Sequence, residues 1–231
     1  MRIIGSIVVH GNKAVQSIAW DISRPLGSVS SVLKCLDRYC VDEILLIRPC
    51  RGTSGKAPFD SSVFETTIFT PLTVGGGISN YREFEEIYRA GCERVCLSSA
   101  VIEKDRSLLN EISKTIGRQG VVAFLPIKIV DGKAFLFNSR KNGFVDFDPQ
   151  VIAFCDQYCD EIVFHDVLAD GVQGKFDMQI LKYIDTKECG VILSGGITKE
   201  NIIQIADIKS IQGVAIENYL CFSEQSVTGM K

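Results

Sequence analysis

The sequence is poor in the features that mark membrane, nucleic-acid or metal proteins. No run approaches the roughly 18 apolar residues that a bilayer span needs, and no membrane partner is expected. The formal net charge of −3 over 231 residues offers no basic surface for nucleic acid. Histidine occurs only as His10 and His165, and there is no CxxC. Local spacing therefore assembles no zinc-type ligand set, and neither metal nor cofactor is expected. Nine cysteines, with Cys92/Cys96 and Cys155/Cys159 as the closest pairs, read as reduced, largely buried thiols. Met1-Arg2-Ile3-Ile4 lacks the h-region and cleavage site of a signal peptide and reads as a strand, which fits a cytoplasmic protein. No Pro- or Ser-rich linker divides the chain, so residues 1–231 read as one domain.

What is present is alternation. Apolar, β-branched runs at Ile3–Val9, Glu43–Ile47, Leu72–Val74, Arg94–Leu97, Val121–Ile127, Glu161–Phe164, Val191–Leu193 and Gly213–Ile216 predict strands. Amphipathic stretches at Ser30–Tyr39, Tyr81–Arg89, Arg106–Ile116, Pro149–Tyr158, Met178–Ile184 and Lys199–Ala206 predict helices. Eight strands alternating with helices fit either a closed parallel barrel or a doubly wound sheet. A repeat separates the two. Asp42-Glu43-Ile44 returns as Asp160-Glu161-Ile162 at an offset of 118, Gly76-Gly77-Ile78 as Gly195-Gly196-Ile197 at 119, and Gly11-Asn12-Lys13-Ala14 as Asp131-Gly132-Lys133-Ala134 at 120. Three landmarks in one order predict a (β/α)8 TIM barrel, an α/β fold of the ribulose-phosphate-binding type, duplicated as half-barrels of about 1–118 and 119–231. Only nine residues follow Cys221-Phe222. The last helix is expected to be truncated, leaving an apolar strip suited to a partner chain or to self-association.

The loops after barrel strands form the working face. Gly75, Gly76 and Gly77, with Ser98 and Ser99 after the fourth strand, could bring backbone N–H groups close to a phosphate. Gly195 and Gly196 stand at the symmetric place. The plainer alternative is a tight strand-to-helix turn, and the symmetry favours the cradle. Beside the second pair lies Glu217, and a carboxylate there opposes an anion unless a cation intervenes. The first site is therefore expected to bind an anion strongly, and the second weakly or not at all.

Taken in order, "MRII", "PLTVGGGI", "VDGKAFLF", "DEIVFHDVLADG" and "VILSGGI" resemble the cyclase subunit of imidazole glycerol phosphate synthase. The likeness runs along essentially the whole chain except the last helix. It implies a barrel with two phosphate sites that takes ammonia from a class I glutaminase on its bottom face. A similar subgroup, from surface-polysaccharide gene clusters, is associated with amidating sugar-linked substrates. Arg2, Glu43 and Glu161 match the charged gate through which the family admits ammonia, and Arg94 stands where the family usually has lysine.

The family's acid–base pair does not carry over. The matching positions are Val8 and Pro126, and neither can hold a proton. Arg48 and Leu168 replace further acids on the second and sixth strands. His165, Asp166, Asp170 and Lys128 are the remaining catalytic candidates, while Arg48 and Arg51 suit a phosphate or carboxylate. The resemblance thus implies the synthase half of a glutamine amidotransferase, acting on a phosphorylated or nucleotide-linked sugar. Two other readings stay open: the histidine-pathway cyclase itself, and a non-catalytic scaffold that channels ammonia.

Overall fold

A computed structural model describes residues 1–49 and 67–217, together with residues 220 and 230. Arg51 and most of the segment read as a truncated last helix lie outside the described residues. Twelve strands form one sheet. Eight of them make the barrel: β1 (Arg2–His10), β4 (Glu43–Ile47), β5 (Leu72–Gly75), β6 (Arg94–Leu97), β7 (Val121–Val130), β10 (Glu161–Asp166), β11 (Gly190–Ser194) and β12 (Ile211–Ile216). Each is parallel to its neighbours, and β12 beside β1 and β10 beside β7 close the ring. A closed barrel leaves no ladder edge for another chain to extend.

Period-2 alternation divides each strand between two cores. Ile3 and Ile7 of β1 point outward to the helices, in a cluster with Leu33, Leu46, Phe84 and Leu109. Ile4 points inward with Leu45, Ile47, Cys96, Val122, Phe124, Val163, Ile192 and Ala215. The outer layer contains α1 (Val29–Arg38), α2 (Tyr81–Arg89), α3 (Ser99–Ile102), α4 (Arg106–Ile116), α5 (Gln150–Tyr158) and α6 (Lys199–Ile205). Side-chain oxygens of Ser28, Asn80 and Asp105 accept from backbone N–H groups in the first turns of α1, α2 and α4, which fixes where those helices start.

The eight predicted barrel strands are all present, and most extend by one to three residues. Met178–Tyr183 forms a 3-10 helix where the pattern suggests an α-helix. The Asp177 carboxylate accepts from Gln179 N–H and closes a tight turn, and only Ile180 of the segment is buried.

Two hairpins lie outside the alternating pattern. Antiparallel β2 (Lys13–Ile18) and β3 (Ile22–Ser28) follow β1. Antiparallel β8 (Lys133–Asn138) and β9 (Gly143–Asp146) follow β7. The turn into β8 is Asp131-Gly132, both at positive φ (51° and 74°), the conformation that type I′ hairpins require. Both hairpins rise from corresponding strands, so the duplication includes them.

Candidate functional site

At the N-terminal mouth of the barrel, four charged side chains meet. Arg2 Nη1 donates to Glu43 Oε2 at 2.8 Å, and Arg2 Nη2 donates to Glu161. Arg94 Nη1 lies 2.5 Å from Glu161 Oε2 and 3.6 Å from Glu43 Oε1. Thr73 Oγ1 also donates to Glu43, at 2.5 Å. Glu43 and Glu161 are buried, yet each carboxylate faces two guanidiniums, which offsets the desolvation of the charge. All four residues singled out from the sequence thus meet in one ring. Arg94 adds contacts to Asp160 at 3.3 Å and to Gln119 O at 3.1 Å, using the planar fork that a lysine lacks.

At the opposite end, a cavity of about 580 Å³ opens beneath the loops after β4, β5 and β6. Gly76, Gly77, Ser98, Ser99, Arg48 and Arg140 contribute to its wall. Gly76 (φ 109°) and Gly77 (φ 83°) hold conformations that other residues rarely adopt. A Cβ on Gly76 would sit 2.1 Å from Arg48 O, so the turn must be glycine. Gly75 plays another part: it lies within β5, where a Cβ would meet Cys96 O at 2.6 Å, and its role is strand packing. Pro126 faces this cavity, and Val8 faces a neighbouring one of about 430 Å³ that shares Trp20, Pro49, Phe137 and Asn142 with it. The two positions where the family's acids are expected therefore do look onto the working face, but as apolar surface. Leu168, at a third such position, is exposed.

The second hairpin supplies what the sequence reading lacks. Its tip crosses to the first cradle, where Ser139 N–H donates to Ser99 Oγ at 3.0 Å. Arg140 is held by Glu103 at 2.8 Å and donates to Ser79 O at 3.2 Å. Arg140 thus joins Arg48 on the cavity wall as a second cation. Asp131-Gly132 was a usable signal for this hairpin, although nothing in the sequence says where its tip lands.

The remaining catalytic candidates are not on the cavity wall. Lys128 Nζ stacks over the Phe144 ring at 3.7 Å. Asp166 accepts from the backbone N–H groups of Leu168, Ala169 and Asp177 at 2.8–3.1 Å and organises the loop after β10. Burial raises its pKa, against the pull of those three donors. His165 is fully buried and in ring contact with Trp20 (centroids 5.0 Å apart) and Phe124 (5.4 Å), which also meet each other at 6.0 Å. Burial lowers its pKa, although the Asp170 charge works in the other direction. Asp170 Oδ2 accepts from Ser17 Oγ at 2.6 Å and from Trp20 N–H at 3.0 Å, fastening the tip of the first hairpin.

Gly195 and Gly196 also lie away from both cavities. A Cβ on Gly195 would meet Asp166 O at 2.4 Å, and one on Gly196 would meet Val172 O at 2.5 Å. Gly174 N–H donates to Gly196 O at 2.7 Å. The loop after β10 thus packs against this glycine turn. Glu217, beyond β12, lies within 4.8 Å of both His165 and Asp170, measured between potential ligand atoms. Burial pushes its carboxyl well above the ordinary range, helped by the charge of Asp170 and a hydrogen bond to it.

A (β/α)8 barrel of two like halves, with its cavity at the C-terminal ends of the strands, defines the class of protein. Residues 2–225 match the family described as Histidine biosynthesis protein, and the chain belongs to that family. It is 26% identical over 201 residues to the imidazole glycerol phosphate synthase subunit HisF of Dictyoglomus turgidum, covering 84% of this chain and 79% of the relative. It is 27% identical over 209 residues to the HisF of a Nocardioides species, covering 85% and 81%. A Campylobacter jejuni protein, provisionally named imidazole glycerol phosphate synthase subunit hisF2, is 25% identical over 202 residues, covering 86% and 80%. Among the described residues, no helix is long and apolar enough to cross a membrane.

Proposed function

We propose that this chain is the synthase-side barrel of a two-subunit glutamine amidotransferase, with a class I glutaminase docked at the Arg2 end. The observation that carries the reading is the ring of Arg2, Glu43, Arg94 and Glu161. Barrel interiors favour apolar layers, so burying two carboxylates there needs a purpose beyond stability. Fixed charges of both signs exclude free ions, while a swing of Arg2, whose side chain is 35% exposed, opens the mouth to a small neutral molecule. Behind the ring, Ile4, Leu45, Val122, Val163 and Ile192 form an apolar layer, an environment that suits ammonia and opposes ammonium.

The acceptor is a phosphorylated or nucleotide-linked sugar. Its phosphate would meet the backbone of Gly76 and Gly77, the hydroxyls of Ser98 and Ser99, and the guanidiniums of Arg48 and Arg140. Val8 and Pro126 weigh against the histidine-pathway cyclase reaction, because the two faces that would exchange protons with substrate are apolar. The test is to purify the chain with a class I glutaminase and follow glutamine hydrolysis. Complex formation with stimulated hydrolysis is expected, and no complex would sink the reading. Supplied with ammonia and the histidine-pathway ribonucleotide, the chain should yield no cyclised product. Turnover there would restore the cyclase.

A further inference from the structure

Ligands far apart in sequence converge where local spacing offers none. His165 ends β10, Asp170 lies in the loop after it, and Glu217 follows β12. His165 Nε2 and Asp170 Oδ1 face each other at 3.9 Å, and neither has a hydrogen-bond partner among the described residues. Both side chains are at most 1% exposed. Glu217 Oε1 stands 4.0 Å from the other imidazole nitrogen and is steadied by Ser6 Oγ at 3.1 Å.

We propose that His165, Asp170 and Glu217 form a buried divalent-metal site of the zinc class. A tetrahedral ion about 2 Å from each donor sets the donors about 3.3 Å apart, so the 3.9 Å gap closes by roughly half an ångström around the ion. Two carboxylates and a neutral imidazole balance a doubly charged cation. The imidazole selects a transition metal over magnesium or calcium. Ser194 Oγ, 3.1 Å from His165 Nδ1, fixes the ring from its far side, as outer-shell partners of metal-bound histidines do. Asp170 also holds Ser17 and the Trp20 backbone, so the ion ties β10 and β12 to the first hairpin.

The chain's only tryptophan is Trp20, stacked on His165, and it reports on the site directly. The full chain is stripped with a chelator, titrated with zinc while Trp20 fluorescence is read, and assayed for bound metal by mass spectrometry. One zinc per chain is expected, with a saturable fluorescence change and a rise in Tm. Glu217→Gln and His165→Gln should each weaken zinc binding by more than the roughly 10–100-fold that losses of outer-shell partners cost. Glu217→Gln keeps the volume and can donate to Asp170, so it serves if the histidine variant fails to fold. Cobalt should bind without a thiolate charge-transfer band, which separates this site from the nine cysteines. No bound zinc, zinc binding unchanged in Glu217→Gln, or a thiolate band with cobalt overturns the proposal.

Discussion

The two halves of the barrel place the same parts in the same order and use them oppositely. Each half has a strand followed by a hairpin, and each hairpin tip reaches across to a loop of the other half. Over the first cradle the visiting tip brings Ser139 and Arg140, and the space below stays open and cationic. At the loop after β10 the visiting tip brings Trp20, whose backbone N–H donates to Asp170, and beside it lie a histidine and two carboxyls. Duplication therefore fixes the backbone and leaves the chemistry free. Close backbone approach alone requires glycine at such a turn, as Gly195 and Gly196 show against Asp166 and Val172.

The largest expected effect lies at the base, where symmetric mates differ in partners. Glu161 takes the close contacts of both Arg2 and Arg94, while Glu43 has Arg2, Thr73 and a longer approach from Arg94. Removing one partner leaves the other charges buried and uncompensated. Glu161→Ala should therefore cost about 3–5 kcal/mol in urea unfolding, and Glu43→Ala less. Equal losses would show that the two halves share the network evenly.

Next come the glycines. Gly76→Ala and Gly195→Ala each force a side chain into positive φ, at roughly 1–3 kcal/mol plus the backbone clash. Calorimetric titration with inorganic phosphate should then separate them: Gly76→Ala abolishes binding, and Gly195→Ala leaves the affinity per folded molecule unchanged. Loss of binding in both would put a working phosphate site back in the second half.

The barrel was legible because its strands are buried, short and repeated. Glu43, Glu161 and Arg94 stand out at strand starts, where a solitary charge has no reason to be, so the ring was legible too. Arg140 was not, because a hairpin tip's landing point depends on twist and length rather than on any motif. The grouping of His165, Asp170 and Glu217 was hidden for a related reason: a closed barrel makes neighbours of β10 and of the residue after β12, roughly 50 residues on. What Gly75, Gly195 and Gly196 do was less legible, since a glycine required by a close backbone approach and one that cradles an anion look alike in sequence.

A smaller effect tests the first hairpin's counterpart. Arg140→Ala should lower phosphate affinity about tenfold, or roughly 1.4 kcal/mol, with little change in unfolding, because the side chain is partly exposed in its pair with Glu103. Trp20, at the tip of the other hairpin, also lines this cavity, but Trp20→Phe removes no charge and should lower that affinity less than Arg140→Ala does. A larger loss in Trp20→Phe would put the first hairpin's tip nearer to the anion.

The smallest difference concerns a symmetry that only the structure shows. Asp37 on α1 accepts from Phe69 N–H, Thr70 N–H and Thr70 Oγ1 before β5. Asp156 on α5, 119 residues later, accepts from Lys187, Glu188 and Cys189 N–H and from Thr186 Oγ1 before β11. Burial works to raise the Asp156 pKa, but those donors outweigh it and hold the carboxyl below its ordinary value. A depressed carboxyl adds stability above its unfolded pKa of about 3.9 and loses it as pH falls through the folded value. Asp156→Asn should therefore cost about 1 kcal/mol at pH 7, and the gap from the unaltered protein should close as pH falls below about 4. Asp37→Asn should follow the same profile with smaller amplitude, since its carboxylate has fewer donors and lies in solvent. A gap that does not shrink at all as pH falls below about 4 would assign the Asp156 effect to packing, and the two loops would then be alike in shape but not in what holds them.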